Sequence, residues 1–567
     1  MASPALTQPS YSSSMADKPL LGMTIGDKFD QIATQYADND ALIVLHQNIH
    51  WSYRQLQEEV NRCARALLSI GVNKGDRVAI WAPNCSEWTL TQFATAKIGA
   101  ILVNINPSYR THELEYALNQ SGARFLVTAN NFKSSDYSAM LYELAPELKA
   151  SNDGELKSQK LPDLECIINL SSEKLSGMWR WSDLMKEANK VSQTDVDDLQ
   201  ATLQFDDAIN IQYTSGTTGF PKGATLSHHN ILNNGFFVAE SMGFTSEDRL
   251  VIPVPLYHCF GMVMGNLGCM THGATMIYPD EGFDPGKVLK AVHEQKATAL
   301  YGVPTMFIAE LEHEGFASTD FSTLRTGIMA GSICPAEIMK QVINKMNMKG
   351  VQIAYGMTET SPVSTQTGAN DSIEKRVSTV GRTQPHLENK IVDPGNGGIL
   401  PRGEIGELCT RGYSVMLKYW NNDKATAEAI DEAGWMHTGD LATMDEEGYI
   451  QIVGRIKDMV IRGGENVYPK EIEEFLYAHP AISEVQVTGV PDKKYGEELI
   501  AWVKLNSTAG DVTGEELREY CKGKITHFKI PRYFKFVDEF PMTVTGKIQK
   551  FKMREISIQE LGLDQES

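Results

Sequence analysis

The sequence predicts an α/β protein with a large N-terminal domain and a small α+β C-terminal domain. Helix and strand patterns alternate from Thr24 to about residue 128 and again from Asp207, as in doubly wound parallel sheets. Short β segments separated by Gly and Pro fill residues 381–454, which indicates a small β-barrel or sandwich subdomain. A chain of 567 residues is also too long for a single hydrophobic core.

Apolar periodicity and terminating residues place the elements of the first region. Apolar side chains recur on one helical face over residues 52–70, and Gly71 marks the end of that helix. The region contains no catalytic constellation, so it is interpreted as scaffold. Its other predicted elements are helices over residues 87–98 and 111–120 and strands over residues 77–81, 101–103 and 124–128.

The chain changes character at residues 454–458. Beyond this border, Pro469 begins a predicted helix that ends at His479, because proline is favoured in the first turn of a helix. A second helix is predicted over residues 513–524, and strands over residues 485–488 and 499–505. These roughly 110 residues are enough for a separate hydrophobic core.

The composition is that of a globular protein, with 42% hydrophobic and 22% charged residues. The formal charge of −20 argues against nucleic acid or an anionic membrane as the main partner. Eight scattered cysteines without a C-x-x-C pair argue against a disulfide framework or a zinc site. No apolar run reaches the roughly 18 residues of a transmembrane helix. Residues 1–22 contain one Lys and no Arg, which is atypical of a secretory signal or a mitochondrial presequence.

Residues 213–223, Tyr-Thr-Ser-Gly-Thr-Thr-Gly-Phe-Pro-Lys-Gly, form the central motif of the chain. They follow a predicted buried strand over residues 208–212 and precede a predicted helix over residues 227–240 with Ser227 at its N-cap. A strand, a glycine-rich loop and a helix N-terminus together predict a polyphosphate site, although the spacing is not that of a Walker loop. The candidate phosphate ligands are Thr214, Ser215, Gly216, Thr217, Thr218, Gly219, Pro221 and Lys222.

A second motif, residues 355–360, reads Tyr-Gly-Met-Thr-Glu-Thr and carries groups suited to a nucleotide. Tyr355 offers a ring on which a base can stack, and Gly356 permits a close approach. Thr358 offers a hydroxyl, and Glu359 offers a carboxylate oxygen, which is a ligand that Mg²⁺ prefers. The motif therefore predicts a metal–nucleotide contact when it is combined with the first.

A third motif, residues 435–440, places Asp440 directly after a glycine turn. Its carboxylate can accept hydrogen bonds from both vicinal hydroxyls of a ribose. Arg455 lies fifteen residues further along and can donate to the same sugar. These two residues are the predicted ribose ligands.

Together the motifs resemble those of the adenylate-forming (ANL) superfamily. This superfamily includes acyl-CoA synthetases, 4-coumarate-CoA ligases, firefly luciferase and peptide-synthetase adenylation domains. The resemblance covers roughly residues 24–554 and is strongest to the medium-chain acyl-CoA synthetases of the animal mitochondrial type, called acyl-CoA synthetase family member two. The phrases GATLSHHNI, PLYHCFG, KSQKLPDL and CKGKITHFKIP indicate this closer likeness.

The resemblance implies a role for each motif in a ligase reaction with two steps. Lys547, near the C-terminus, would contact the acid carboxylate and the α-phosphate of ATP in the first step. The implied catalytic residues are Lys547, Lys222, Thr358 and Glu359, and the implied metal ligands are Glu359 and Thr218. His258 is a further catalytic candidate, because its imidazole can orient the attacking carboxylate. The implied ATP and AMP ligands are the phosphate-loop residues above together with Gly331, Ser332, Gln352, Tyr355, Gly356, Thr358, Asp440, Arg455 and Lys547.

The resemblance also implies a mobile C-terminal domain. Lys457 would be its hinge, and Gly463 and Gly464 would line the path of the CoA arm, since glycines leave room for a thin thiol chain. The implied division is a disordered tail 1–23, an N-terminal adenylation domain 24–454 with a β-rich part 381–454, a hinge 455–457 and a C-terminal mobile domain 458–567.

The acyl side of the site is predicted around the Pro-Leu-Tyr-His-Cys-Phe-Gly sequence of residues 255–261. Its predicted wall carries no second cation and no buried Asp for an ammonium group, which favours a monocarboxylate over a dicarboxylate or an α-amino acid. The predicted pocket residues are His258, Phe260, Met262, Val303, Gly331 and Met357.

The function expected from the resemblance is ATP- and CoA-dependent activation of a fatty acid, with Mg²⁺ as the metal. An aryl or long-chain CoA ligase, a carrier-loading or luciferase-like adenylating enzyme and a catalytically silent ATP-binding protein are the alternatives. The expected partners are small molecules, with a homodimer as a further expectation and nucleic acid excluded. The compartment expected from the resemblance is the mitochondrial matrix, and otherwise the cytoplasm.

Overall fold

A computed structural model describes residues 8–214, 221–331, 334–463, 465–506, 510, 512–542 and 548–563. The chain divides into two compact units. One comprises Met1–Tyr11, Lys390–Cys409 and Thr438–Ser567, and the other comprises Ser12–Asn389 and Thr410–His437. Helices and parallel strands alternate in the larger unit, so the α/β fold class predicted from the sequence is confirmed. Within the described ranges, no helix is both long enough and apolar enough to cross a bilayer.

The α-helices of the described residues include the six predicted from the sequence, whose bounds agree with the predicted ones to within three residues. Besides a π-helix at Phe260–Leu267, they are α1 (Ile25–Gln35), α2 (Tyr53–Ser69), α3 (Ser86–Ile98), α4 (Thr111–Ser121), α5 (Tyr137–Leu144), α6 (Trp181–Glu187), α7 (Gln193–Gln200), α8 (His228–Ser241), α9 (Gly268–His272), α10 (Pro285–Glu294), α11 (Pro304–Glu312), α12 (Ala336–Lys345), α13 (Ile373–Ser378), α14 (Asp423–Ala429), α15 (Pro469–Tyr477), α16 (Gly514–Cys521) and α17 (Lys550–Glu560).

The strands are short, as expected for alternating α/β structure. They are β1 (Tyr11–Ser13), β2 (Asp40–Val44), β3 (Ile49–Ser52), β4 (Arg77–Trp81), β5 (Ile101–Asn104), β6 (Phe125–Thr128), β7 (Asn131–Phe132), β8 (Ser135–Asp136), β9 (Cys166–Asn169), β10 (Trp179–Arg180), β11 (Ala208–Thr214), β12 (Lys222–Ser227), β13 (Arg249–Val251), β14 (Thr275–Tyr278), β15 (Ala299–Gly302), β16 (Thr326–Ala330), β17 (Gly350–Gly356), β18 (Val363–Gln366), β19 (Arg382–Thr383), β20 (Leu387–Val392), β21 (Gly406–Gly412), β22 (Lys418–Tyr419), β23 (Met436–Met444), β24 (Ile450–Arg455), β25 (Val460–Arg462), β26 (Glu465–Val467), β27 (Ile482–Asp492), β28 (Gly496–Leu505) and β29 (Tyr533–Phe536).

Two large sheets organise the larger unit. The first has eight strands in the order β10-β9-β6-β4-β5-β11-β12-β22, and the second has nine in the order β19-β18-β17-β16-β15-β13-β14-β2-β3. Their central pairs are parallel, whereas the edges at β11–β12–β22 and β17–β18–β19 are antiparallel. Parallel strands that are covered by helices on both faces have mostly apolar sequences, and β5 and β6 follow this rule.

Except for β19 and β22, which belong to the two large sheets, the strands after residue 381 form the predicted β-rich part and the C-terminal sheet. A five-stranded sheet has the order β1-β20-β21-β23-β24, and β23 and β24 are antiparallel. The C-terminal sheet has the order β26-β25-β28-β27, and β29 adds to β28 in parallel. Helices α15 and α16 contribute to a separate core with apolar residues such as Val487 and Leu517, as the size of this region predicted.

Serine caps fix the starts of two helices that the sequence placed correctly. Ser52 accepts from the amide of Gln55, and Ser227 accepts from the amide of Asn230, in two reciprocal capping boxes. Each box satisfies amide donors that lack partners in the first turn of a helix. The bounds of α2 and α8 therefore follow from local sequence signals.

The segment after the glycine-rich loop differs from the prediction. Lys222–Ser227 is not a link to a helix N-terminus but a strand, β12, which pairs antiparallel with β11 so that Thr214 lies opposite Lys222. Six residues of strand extend about 17 Å, which separates the N-terminus of α8 from the loop. The helix dipole therefore does not contribute to the predicted phosphate site. Residues 223–227 are buried in the sheet, which explains why they are extended.

The segment predicted to be a disordered tail is partly ordered. Ser10 N donates to Leu400 O, and Ile391 N donates to Ser10 O, so these residues extend a sheet. A little further on, Ser14 N donates to Leu387 O and His386 N donates to Ser14 O. Paired backbone groups hold this part of the segment in place.

Candidate active site

The two predicted phosphate and metal motifs meet in the larger unit. Thr214 ends β11 directly before the central motif, and Lys222 begins β12 directly after it. The hydroxyl Oγ1 of Thr214 lies 3.3 Å from Oε1 of Glu359, to which it donates. The strand pair β11–β12, which flanks the central motif, is therefore in direct contact with the second motif. Ser215, Gly216, Thr217, Thr218 and Gly219 lie outside the described residues.

Glu359 is held in a short 3₁₀ turn, Thr358–Thr360, that follows β17. Its backbone carbonyl accepts from the amide of Met416 at 2.9 Å. The strand that follows the turn, β18, is bound by the side chain of Asn234 from α8. This amide donates to Val363 O and accepts from Val363 N, as a paired strand would. These contacts fix the turn, and with it the carboxylate, on rigid elements.

Tyr419 completes this cluster, and the sequence did not identify it. Its hydroxyl donates to Oε1 of Glu359 at 2.8 Å, and Nζ of Lys222 lies 4.9 Å from the centre of its ring. Residues 418–419 were predicted within the β-rich part, whereas β22 is the edge strand of the eight-stranded sheet. This segment joins the eight-stranded sheet because its backbone pairs with β12: Trp420 N donates to Gly223 O, and Leu417 N donates to Thr225 O.

The geometry of Glu359 suits a metal ligand. The residue is 5% exposed, and its Oε1 accepts hydrogen bonds from both Thr214 and Tyr419. In the described parts of the chain, no donor binds the other oxygen, Oε2. A buried carboxylate with one oriented, free oxygen is the kind of hard ligand that Mg²⁺ prefers. The residues therefore fit the magnesium ion that the motifs imply.

Gly356 is required where it stands because two backbones approach closely. A Cβ atom at this position would lie 1.7 Å from Pro362 O and 2.8 Å from its carbonyl carbon. Both contacts are shorter than van der Waals distance, and a backbone carbonyl cannot rotate away as a side chain could. The sequence predicted a close approach at Gly356, and the group that approaches it is the backbone of Pro362, just after the 3₁₀ turn.

We expect Gly356→Ala to destabilise the protein by roughly 2 kcal/mol or more, because the turn that carries Glu359 must shift. Thermal unfolding at a fixed scan rate measures this as a lower midpoint. Gly22→Ala is the matched control, since a Cβ there would meet nothing within 4 Å and the backbone is not in the left-handed region. Equal midpoints for the two variants would contradict the steric argument.

Two of the predicted adenine residues lie on opposite faces of one strand. Successive side chains of a strand point to opposite faces, so Gln352 and Tyr355 of β17 lie on different sides of the sheet. Gln352 is fully buried, donates to Ser241 O at 2.8 Å and accepts from Gln366. Its side chain is thus engaged in a core network. Ser332 lies outside the described residues, and Gly331 adopts a positive φ of 92°.

The predicted ribose ligands lie side by side in the other unit. Asp440 of β23 is paired directly with Arg455 of β24. Nε of Arg455 lies 3.3 Å from Oδ1 of Asp440, and both side chains are partly exposed. The sequence predicted that these residues act together, and the register of the two strands brings them into contact.

Three acyl-side candidates, His258, Phe260 and Met262, lie in the π-helix or directly before it. His258 precedes it, is exposed, and accepts from Phe260 N through Nδ1 at 3.3 Å. Phe260 packs against the ring of Tyr301 with centroids 5.3 Å apart. π-Helical segments are rare and are often found at functional sites. Two other candidates lie close to each other, since a Cβ added at Gly331 would be 3.1 Å from Val303 Cγ1.

Met262, another predicted pocket residue, is tied to a buried polar network. Its sulfur accepts from Nδ2 of Asn104 at 3.1 Å and from Nε2 of Gln212 at 3.2 Å. Gln212 also accepts from the Cys259 thiol at 3.1 Å. Gln212 lies on β11, two residues before Thr214, so the network connects β11 to the π-helix. Met357, the remaining candidate, is partly buried against the same core.

The predicted hinge and CoA residues lie in the smaller unit. Lys457 is in a 3₁₀ turn, Ile456–Asp458, between β24 and β25. Gly463 has φ 62° and donates its amide to Tyr495 O at 2.8 Å, so the turn needs a glycine there. The neighbouring Arg462 stacks on the ring of Tyr495 and binds Glu498. Gly464 and Lys547 lie outside the described residues.

Comparison with known proteins agrees with this architecture. The family model "AMP-binding enzyme" matches residues 29–420, and "AMP-binding enzyme C-terminal domain" matches residues 471–547. The chain is 53% identical to the putative acyl-CoA synthetase YngI of Bacillus subtilis, over 96% of this chain and 99% of that protein. It is 45% identical to the medium-chain acyl-CoA ligase ACSF2, mitochondrial, of Danio rerio, over 99% of this chain and 92% of that protein.

A solved structure supports the same grouping. ATP-bound MatB from Rhodopseudomonas palustris superposes with a TM-score of 0.81 at 29% identity, covering 95% of this chain and all of that one. The resemblance that the motifs indicated therefore extends to both sequence and fold over nearly the full length. The chain belongs to the AMP-binding enzyme family, within the adenylate-forming superfamily, and is close to the acyl-CoA synthetases of the ACSF2 type.

Proposed function

We propose that the protein is a medium-chain fatty acid–CoA ligase that forms AMP. In the first step, the acid carboxylate attacks the α-phosphorus of ATP, giving an acyl-adenylate and pyrophosphate. In the second, the CoA sulfur attacks the acyl carbon, and AMP leaves as the thioester forms. A carboxylate is a poor electrophile, and the mixed anhydride gives it a good leaving group. The contact of Thr214 and Tyr419 with Glu359, beside Lys222, is the observation that carries the proposal.

Each residue of this cluster has a distinct task in the proposal. Lys222 offsets negative charge on the phosphates, and Glu359 would hold a magnesium ion through Oε2. The ion supplies charge neutralisation for the polyphosphate when it is bound. Thr214 keeps the carboxylate in one orientation, since it donates to Oε1. Preorganised charges of this kind are effective because they need no rearrangement during the reaction.

The remaining roles come from the family resemblance. Asp440 and Arg455 would bind the ribose, because a carboxylate can accept from two vicinal hydroxyls and a guanidinium can donate to one. Lys547 would offset the repulsion between the attacking carboxylate and the α-phosphate. The C-terminal domain 458–567 would turn about Lys457 between the two steps, so that the loop at Gly463 and Gly464 replaces Lys547.

The preference for medium chains is supported by the named ACSF2 relative and by the apolar character of the predicted pocket. Phe260, Met262 and Val303 present no charged group to an acyl chain. For the compartment, the mitochondrial relative supports the mitochondrial matrix, whereas the higher identity to a bacterial protein argues against it.

The proposal is tested by CoA-dependent AMP production with acids from acetate to palmitate, together with 4-coumarate and benzoate. We expect a maximum near octanoate and decanoate. A maximum with an aromatic acid or with palmitate would replace the medium-chain assignment by the aryl or long-chain alternative. Pyrophosphate release that never requires CoA would indicate another acceptor, and no turnover with any acid would favour the silent ATP-binding alternative.

A further inference from the structure

The segment around Tyr419 is bound to both halves of the phosphate and metal cluster. On one side, Leu417 N and Trp420 N donate to carbonyls of β12, the strand that begins with Lys222. On the other side, Met416 N donates to Glu359 O, and Ser361 Oγ donates to Ser414 O at 2.6 Å. Residues 414–420 therefore form a backbone bridge between the central motif and the second motif. Tyr419 is the side chain of this bridge that contacts both.

The hydroxyl of Tyr419 is well placed to orient Glu359. Its distance to Oε1, 2.8 Å, is shorter than the 3.3 Å of the Thr214 contact, and Tyr419 is 5% exposed. A short hydrogen bond to a carboxylate in a site with little water is among the stronger ones in proteins. A tyrosine hydroxyl is protonated at neutral pH and a carboxylate can only accept, so Tyr419 is the donor in this contact.

The ring of Tyr419 has a second contact. Nζ of Lys222 lies 4.9 Å from its centre, within the range of a cation–π interaction. A long lysine side chain has many rotamers, and an aromatic face restricts where its ammonium group rests. One residue thus touches the predicted phosphate cation by its ring and the predicted metal ligand by its hydroxyl.

We propose that Tyr419 is a positioning residue for adenylation. Its hydroxyl keeps Oε1 of Glu359 occupied and so presents Oε2 to the cation, and its ring places Lys222 for the phosphates of ATP. The inference rests on the proposed ATP chemistry. If it is correct, removal of the hydroxyl weakens the binding of Mg²⁺ with ATP, whereas removal of the ring also weakens the binding of ATP without metal.

Two substitutions separate the two contacts. Tyr419→Phe removes the hydroxyl and keeps the ring, and Tyr419→Leu removes both. Tyr53→Phe is the matched control, because Tyr53 is a fully buried tyrosine whose hydroxyl donates to the backbone oxygen of Ala274, away from this cluster. Each full-length protein is tested for ATP binding by calorimetry with Mg²⁺ and with EDTA, and for the Mg²⁺ dependence of pyrophosphate release with octanoate.

For Tyr419→Phe, we expect the half-saturating Mg²⁺ concentration to rise about ten-fold, the effect of one hydrogen bond to a charged group, while ATP binding in EDTA stays within about two-fold. For Tyr419→Leu, we expect ATP binding in EDTA to weaken as well. The control should match the wild type in both measurements. If the Leu variant does not fold, Tyr419→Met takes its place, since it fills similar space without an aromatic face.

Different outcomes overturn different claims. Equal Mg²⁺ dependence in Tyr419→Phe and wild type would overturn the role of the hydroxyl. Equal loss of ATP binding with and without metal in that variant would indicate a merely structural residue and overturn the positioning role. Unchanged EDTA binding in the Leu or Met variant would overturn the role of the ring. A wild-type protein that binds no ATP and releases no pyrophosphate would instead overturn the proposed function.

Discussion

Glu359→Gln is expected to lower acyl-adenylate formation by at least about 100-fold, because the amide is neutral and binds Mg²⁺ poorly. The substitution keeps the shape of the side chain and one oxygen that can still accept from Thr214 and Tyr419. The fold should therefore be preserved, and the midpoint of thermal unfolding without ligands should change little. Pyrophosphate release with ATP and octanoate measures the loss.

The dependence on metal distinguishes this explanation from a general loss of structure. Raising the Mg²⁺ concentration should recover part of the activity of Glu359→Gln, since the remaining ligands can still bind the ion weakly. Glu173→Gln, which changes an exposed carboxylate, is the matched control and should behave as the wild type. A Glu359→Gln enzyme with normal activity and a normal Mg²⁺ requirement would remove Glu359 from the proposed site.

Lys547→Ala is expected to separate the two half-reactions. Formation of the adenylate should fall by about 100- to 1,000-fold, because the lysine offsets repulsion between two anions as they approach each other. Conversion of supplied octanoyl-adenylate to octanoyl-CoA should stay within about three-fold of wild type, since in the proposed alternation of domains the lysine leaves the site before that step. The two steps are measured separately, by pyrophosphate release and by thioester formation.

Lys552→Ala is a suitable comparison, because Lys552 is an exposed lysine five positions further along and lies in α17. It should leave both steps unchanged. Equal damage to both steps by Lys547→Ala would argue against the alternation of domains, and so would normal adenylation. The first result would point to a lysine that serves stability, and the second to another cation in the first step.

Much of the fold could be predicted from local signals. Strand β4 was predicted with its observed bounds, and α8 was predicted to begin after Ser227, because apolar runs and capping residues act over a few neighbouring positions. Asp440 and Arg455 were predicted to bind the same ribose, and in the structure they are paired across two strands. These features depend on residues close in sequence or on a motif with a known spacing.

Two of the features that could not be predicted depend on long-range pairing, and a third depends on the face of its strand to which a side chain points. Strand β12 is stabilised by β11 and β22, and β22 is only two residues long, too short for a periodic signal. Tyr419 lies about 60 residues from Glu359, in a stretch that reads as a β-rich subdomain. Gln352 was assigned to the nucleotide because its neighbours carry a motif, whereas the alternation of β17 directs it into the core.

The sulfur of Met262 limits how the predicted acyl pocket can be redesigned. Asn104 and Gln212 are buried, and each uses one amide hydrogen for another acceptor and one for this thioether. A leucine at position 262 would fill the volume but leave two N–H groups without an acceptor, at a cost of about 1–3 kcal/mol each. Engineering of chain-length preference should therefore begin at Phe260 or Val303, whose side chains pack among apolar residues and offer no acceptor to this network.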